Sequence, residues 1–133
     1  MSFDDAIAAL GEEFGVALSA EDGTACFEVS SDGGDFEPVD FTLTYEPEGE
    51  MLLISADAGA VDMERGEEPL LKMLEANHMF TGTVGASFCV DDGRAKLERR
   101  IRLDVFWREG GKAVLMSLFR SVQSWREARD ERG

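Results

Sequence analysis

Hydrophobic residues recur at two spacings along this chain: every third or fourth position near both ends, and every second position in between. The helical spacing over residues 3–14, with Ser2 as N-cap and Gly15 as a stop, predicts a first amphipathic helix. Alternating apolar and polar residues then predict three antiparallel strands, at residues 24–30, 39–46 and 51–56. The run at 51–56 is apolar on both faces, so we expect it to lie centrally or to be covered on both sides.

The second half of the chain begins with a short Leu-rich segment and continues as a long hairpin. Pro69 and the acids before it favour a helix over residues 67–77. The hairpin strands are predicted at residues 84–90 and 94–107, on either side of Asp91-Asp92-Gly93.

A final helix is expected to begin near Lys112, because two consecutive glycines precede it and glycine is poor in a helix interior. Arg99 falls on the inward face of the preceding strand, where we expect it at an interface or paired with a carboxylate. The element order α-β-β-β-α-β-β-α predicts a single α+β domain over residues 1–133, with an antiparallel, twisted sheet packed with helices.

The charge of the chain is strongly negative and unevenly distributed. Its 133 residues carry a net charge of −15 and are 44% apolar, enough to close one hydrophobic core. Residues 1–69 hold 19 acids against one base, whereas residues 70–133 hold 9 acids against 12 bases. Such acidity repels phosphate backbones and anionic lipids, so we expect no nucleic-acid or membrane partner and favour a polar or basic one. An acidic protein without electrostatic specificity is an equally good interpretation.

Residues typical of catalysis or metal binding are sparse. Cys26 and Cys89 lie 63 positions apart among apolar neighbours, so we expect buried free thiols and neither a metal site nor a disulfide. His78 is the only histidine, no serine lies in a G-x-S-x-G elbow, and the acidic turns lack the spacing of an EF-hand loop. The sequence therefore predicts no catalytic residues, no metal and no cofactor. Without a leader-like or membrane-spanning segment, we expect a cytoplasmic protein.

An ordered set of short motifs runs from residue 70 to the last helix. The set comprises Leu70-Leu71, then Leu74, Ala76 and Asn77, a glycine-containing strand at 82–90, the turn at 91–93, Leu97 and Arg99, and an amphipathic helix ending in Trp125-Arg126. In this order the motifs resemble the class I type III secretion chaperones, the Tir chaperone family of small acidic homodimers that carry virulence effectors. The resemblance implies a cytoplasmic chaperone in protein transport, not an enzyme.

This resemblance also implies where partners bind. The first helix and the first three strands would hold an extended segment near the N-terminus of a secreted effector, keeping it soluble and secretion-competent without nucleotide. The apolar residues expected to contact the effector are Phe3, Ile7, Leu10, Phe14, Val39, Phe41, Leu43, Leu52 and Ile54. The implied homodimer interface comprises Leu71, Met73, Leu74, Met79, Phe88 and Arg99. A secretion ATPase is a further candidate partner.

Two other functions stay open. One is a binding or regulatory domain of the same fold that serves no secretion system, because a fold does not determine a function. The other is a small enzyme that uses acids of the N-terminal half, which would require carboxylates of raised pKa converging in a pocket. The apolar stripes are also what an ordinary core would use, so packing is the simpler interpretation of any single stripe residue.

Overall fold

A computed structural model describes residues 2–31, 36–60 and 86–130, with the backbone alone for 128–130. The helices described are α1 (Phe3–Phe14), α2 (Leu103–Glu109) and α3 (Gly111–Asp130). The strands described are β1 (Thr24–Val29), β2 (Val39–Glu46), β3 (Met51–Ala60), β4 (Ala86–Asp91) and β5 (Arg94–Arg102), with a 3-10 turn at Glu48–Glu50. The helix predicted at 67–77 lies outside the described residues.

Helix α1 has the bounds that the sequence predicts, because both of its ends are determined locally. Ser2 Oγ accepts a hydrogen bond from the Asp5 N–H at 3.1 Å, and Asp5 Oδ2 accepts one from the Ser2 N–H at 3.4 Å, which forms a capping box. Gly15 ends the helix in the left-handed conformation with φ +74°. The helix therefore starts and stops with its exposed backbone groups satisfied.

The five strands form one antiparallel sheet in the order β1-β2-β3-β5-β4. Strand β3 lies in the middle, which confirms the prediction made from its apolar character on both faces. The hairpin turn between β4 and β5 is also as predicted, with positive φ at Asp92 (+53°) and Gly93 (+74°). Strands β1 and β4 are the two edges of the sheet. The α+β class is confirmed.

Helices cover one face of the sheet, which we call the covered face; no described helix covers the other, which we call the open face. Helix α3 contacts the central strand β3, and α1 and α2 pack against α3. The largest side chains of this core with almost no exposed surface include Phe41, Leu43, Leu52, Ile54, Leu97, Phe106, Leu115 and Leu118. Strand residues alternate between the two faces, so the core is built from every second residue of each strand.

The hairpin strand ends earlier than its pattern predicts. The pattern predicts a strand to residue 107, but β5 stops at Arg102 and α2 begins at Leu103. Leu103 and Phe106, three positions apart, are buried on one helical face, whereas Trp107 is 42% exposed. Over so few residues, apolar positions fit a period of 2 as well as a period of 3.6.

The prediction of buried thiols is wrong for Cys26, which is exposed on the open face, and Cys89 is only partly buried. Both thiols are free, as predicted. Apolar neighbours along a strand say little about burial, because residues next to each other in sequence point to opposite faces of the sheet. Cys26 lies between Ala25 and Phe27, which both point to the covered face.

Candidate functional site

Strand β1 presents a row of backbone groups at the edge of the sheet. Gly23 O accepts a hydrogen bond from the Tyr45 N–H of β2 at 2.8 Å, whereas the N–H and C=O of Thr24 point away from β2 and bond to Glu21 at 3.0 and 2.8 Å. In an antiparallel pair this direction alternates residue by residue. The N–H and C=O groups of Cys26 and Glu28 therefore also point outward. Among the described residues, no strand pairs with this side of β1 beyond the bridge from Glu21.

A series of aromatic rings lies beside this edge on the covered face. Phe27 of β1 contacts Phe14 of α1, with ring centroids 6.3 Å apart, and stacks on the buried Phe41 at 6.1 Å. Lys112 Nζ lies 5.4 Å from the centroid of Phe14. Phe14 and Phe27 are each only partly buried, and Val16, two residues beyond α1, is 55% exposed. Apolar surface is thus available next to unpaired backbone groups.

On the open face, basic residues of β5 and acids of neighbouring segments form ion pairs. The pairs are Arg94–Asp57 at 2.9 Å, Lys96–Asp91 at 3.2 Å, Arg100–Glu46 at 3.0 Å and Arg102–Asp104 at 3.2 Å. Near the β1 edge the charges are not balanced in this way. Glu28 and Asp40 are both exposed and oppose each other across β1 and β2, and no basic group within the described ranges lies in ion-pair distance of either. The edge is therefore acidic.

The third acid in this cross-strand row is Asp57, which opposes Asp40 from β3. Burial raises the pKa of Asp57, but hydrogen bonds from Arg94 and the Gly59 N–H, with the positive charges of Arg94 and Lys96, outweigh burial and hold the pKa below its ordinary value. Asp57 therefore stays ionised and adds to the negative potential of the row, although Arg94 neutralises most of it.

Cys89 is the one thiol whose environment suppresses its reactivity. Burial and a hydrogen bond from its Sγ to Glu98 Oε1 at 3.2 Å raise the pKa of Cys89 to about 11. A thiol in this state is almost fully protonated at neutral pH, and the thiol form is a poor nucleophile. Cys26 Sγ lies 3.8 Å from the hydroxyl of Thr42, within reach of a weak hydrogen bond. Nothing in this arrangement points to cysteine catalysis.

Of the nine residues predicted to contact an effector, eight lie in the hydrophobic core. They are Phe3, Ile7, Leu10, Val39, Phe41, Leu43, Leu52 and Ile54, each with at most 6% of its surface exposed. Their contact with an effector stays a prediction that would require the core to open. Phe14 is the predicted residue that reaches the surface, and Phe27 joins it there. The sequence places Phe27 on the inward face of β1, but only the strand order shows that this position lies at an edge.

The predicted dimer interface is described only in part. Leu71, Met73, Leu74 and Met79 lie outside the described residues. Phe88 is 5% exposed and packs against Trp125, with ring centroids 5.8 Å apart. Arg99 Nη2 lies 3.6 Å from Glu109 Oε2, which is the carboxylate partner that its inward position requires. Their place in a dimer stays a prediction.

A second surface feature lies at the end of the sheet near the 3-10 turn. Trp107 forms a shallow pocket of about 340 Å³ with Glu50, Leu103 and Asp104. Asp104 already pairs with Arg102, whereas Glu50 has no ion-pair partner among the described residues. The sequence does not indicate this pocket, because its alternating pattern predicts Trp107 on a strand, whereas the structure places it on the exposed side of α2.

The described parts of the chain contain no group of three or more histidine, cysteine, aspartate or glutamate side chains placed to hold a metal ion. Nor does any helix in those parts have the length and apolar content needed to cross a membrane. The features that remain are those of a binding surface: an unpaired strand edge, partly exposed aromatic rings and unbalanced negative charge.

This fold and this surface define an α+β protein with a sheet edge available for pairing. The chain belongs to the Tir chaperone protein (CesT) family, whose sequence model it matches over residues 5–126. No curated protein sequence matches the chain.

Two solved structures share the fold over nearly the whole chain. The crystal structure of the ExsC–ExsE complex superposes with a TM-score of 0.70 at 21% identity, covering 96% of this chain and 96% of that chain. The structure of the HopA1–SchA chaperone–effector complex superposes with a TM-score of 0.69 at 16% identity, covering 91% of this chain and 90% of that one. At these identities the likeness shows a common fold.

Proposed function

We propose that this protein is a chaperone that binds an extended segment near the N-terminus of a type III secreted effector along the outer edge of β1. The observation that carries the proposal is the edge of β1, with which no strand of the described ranges pairs beyond the bridge from Glu21, in a member of the Tir chaperone family. In this role the protein keeps the segment soluble and secretion-competent by binding alone, with no nucleotide and no covalent step. The similarity to a chaperone–effector complex supports the same role.

Backbone pairing supplies the affinity that does not depend on the effector's sequence. The outward N–H and C=O groups of Cys26 and Glu28 can form hydrogen bonds with an added strand, as in other cases of strand addition at a sheet edge. Thr24 cannot take part in the same way, because its outward groups already bond to Glu21. The added strand therefore pairs with the part of β1 that lies beyond Thr24.

Apolar contacts supply the next part of the affinity. A residue of the added strand opposite Phe27 points to the covered face, because directly opposed residues in a sheet share a face. There it meets the partly exposed rings of Phe27 and Phe14. Burial of apolar surface contributes about 25 cal/mol per Å², so one buried aliphatic side chain adds roughly 1.5–3 kcal/mol.

We also propose that the chaperone acts as a homodimer. Family membership supports this, because the Tir chaperone family described above consists of small acidic homodimers. A stable interface removes about 800 Å² of surface from each partner. Of the predicted interface residues, Phe88 lies on the edge strand β4 and Arg99 lies on its neighbour β5. The other predicted interface residues fall between β3 and β4 in the sequence.

The proposal is tested with the full chain and the N-terminal segment of a candidate effector, co-expressed and analysed by size exclusion with light scattering. We expect a complex of two chaperone subunits with one segment. In Cys26→Pro the outward N–H is lost while the bonds between β1 and β2 are kept, and proline is tolerated at such edge positions. A net hydrogen bond of about 1 kcal/mol predicts roughly fivefold weaker binding.

Cys26→Val is the matched control, because valine keeps the N–H and suits a strand. Phe14→Ser is a second test and should reduce effector binding more than it reduces stability. The proposal is wrong if Cys26→Pro and Cys26→Val bind the segment equally well while both remain folded by circular dichroism.

A further inference from the structure

Three carboxylates occupy one row across the open face: Glu28 on β1, Asp40 on β2 and Asp57 on β3, each opposite the next. Like charges directly opposite each other in a sheet are destabilising. At the inner end the repulsion is relieved, because Asp57 bonds to Arg94 at 2.9 Å and opposes Lys96 of β5. At the outer end, Asp40 still interacts electrostatically with Arg94, whereas Glu28 at the sheet edge has no ion-pair partner among the described residues.

Beyond Glu28, the next residue of this row would come from a strand added at the β1 edge. A strand added at the β1 edge places one side chain directly beside Glu28 on the open face, whether it runs parallel or antiparallel. We infer that the effector segment carries lysine or arginine at that position. This inference rests on the proposed function and specifies the sequence that the β1 edge selects.

The same geometry specifies the neighbouring residues of the segment. The residue opposite Phe27 is apolar, because it faces the aromatic rings on the covered face. The residue opposite Cys26 returns to the open face, where its neighbours are the uncharged Cys26 and Thr42. The selected pattern is therefore basic, apolar and uncharged in consecutive positions, and an acid at the first of these is disfavoured by repulsion from Glu28.

The exposure of Glu28 and Asp40 limits how strong this selection is. An exposed ion pair contributes little, and at moderate salt one such pair changes binding by up to about fivefold. Glu28 is the carboxylate directly beside the added cation, because Asp40 lies one strand farther away, and the preference weakens as salt rises. The basic residue thus sets specificity, while backbone pairing and the apolar residue carry most of the affinity.

The test is a selection of short random peptides displayed on a carrier, with the purified full chain as the target. We expect enrichment of peptides in which a basic and an apolar residue are adjacent, in either chain direction. In Glu28→Lys the same selection should favour an acid at the basic position, and basic peptides should bind about fivefold more weakly. Glu48→Lys makes the same change of charge in the exposed turn before β3 and should leave the selection unchanged.

The outcomes separate the inference from the proposed function. If apolar peptides that depend on the Cys26 N–H are enriched without a basic residue, or if Glu28→Lys and Glu48→Lys have equal effects, the inference is overturned and the proposed function stands. If no enriched peptide is weakened by Cys26→Pro, β1 is not the binding edge and both fail. Basic–apolar peptides that respond to Glu28→Lys alone support both.

Discussion

Gly11→Ala is expected to destabilise the protein, although alanine is the better helix former. Gly11 is buried in the last turn of α1, where the chain folds back against the helix. A Cβ at this position would lie 2.6 Å from Val16 O and 3.0 Å from Leu18 N. The nearest groups are backbone atoms, and Val16 is tied to this position because its N–H donates to Gly11 O at 2.9 Å. They cannot rotate out of the way as a side chain could.

The two effects of this substitution can be weighed. Replacing glycine by alanine inside a helix stabilises it by about 0.5–1 kcal/mol. Forcing an extra carbon into a packed site costs about 1–3 kcal/mol, and contact with backbone places this case at the upper end. The net expectation is a loss of about 1–2 kcal/mol in the free energy of unfolding, equivalent to a Tm lower by roughly 3–8 °C.

The assay is urea denaturation followed by circular dichroism, at one fixed protein concentration because dimerisation would couple stability to concentration. Ala8→Gly, at an exposed position of the same helix, measures the helix-propensity effect without a steric contact. A Gly11→Ala protein more stable than the parent would refute the steric reasoning. The substitution should also displace Val16, and so alter the apolar surface beside Phe14.

Three further predictions concern the core, the acidic row and the thiols. Phe41→Ala removes a fully buried ring and should lower the free energy of unfolding by about 3–5 kcal/mol in urea denaturation. The lowered pKa of Asp57 means that its pairing with Arg94 stabilises the fold above the unfolded pKa of 3.8 and is lost as pH falls through the folded value. Asp57→Asn should therefore be slightly less stable than the parent at pH 7, and the difference should shrink as pH falls below 3.8. Iodoacetamide with mass spectrometry should modify Cys26 at neutral pH, whereas modification of Cys89 should rise only as pH approaches its pKa of about 11.

Each of these has an outcome that contradicts it. A Phe41→Ala protein with an unchanged urea midpoint would mean that this ring is not packed as described. A stability difference for Asp57→Asn that does not shrink as pH falls below 3.8 would assign its effect to packing rather than to charge. Equal rates of modification at Cys26 and Cys89 at neutral pH would rule out the bond between Cys89 and Glu98.

Elements with local causes were predictable from the sequence. Helix α1 was placed correctly because Ser2, Asp5 and Gly15 act within one turn of the positions they terminate. The strand faces of β2 and the turn at Asp92-Gly93 were placed correctly for the same reason. The end of β5 was not, because the apolar residues from Leu103 onward fit a strand and a helix equally well until the packing of Phe106 selects the helix.

The candidate site depended on pairing that no local pattern encodes. Alternation assigned Phe27 to the inward face and Glu28 to the outward face of β1, but it could not show that this face ends in an edge. Eight of the predicted effector contacts satisfied the same apolar pattern and turned out to be core. A pattern of apolar positions identifies the side chains that are favourably removed from water. It does not distinguish side chains buried in a core from those buried on binding a partner.

By itself, the sequence determined the class of fold, the family resemblance, the acidity of the first half and the face on which each strand residue lies. Those properties follow from residue type and from periods of 2 and 3.6, which act over a few positions. The tertiary structure decided that β1 lies at an edge, that its outward groups belong to Cys26 and Glu28, and that three acids share one row. Strand order and register arise from contacts between segments that are distant in the sequence. The cross-strand neighbours of a residue therefore cannot be deduced from the sequence of its own strand.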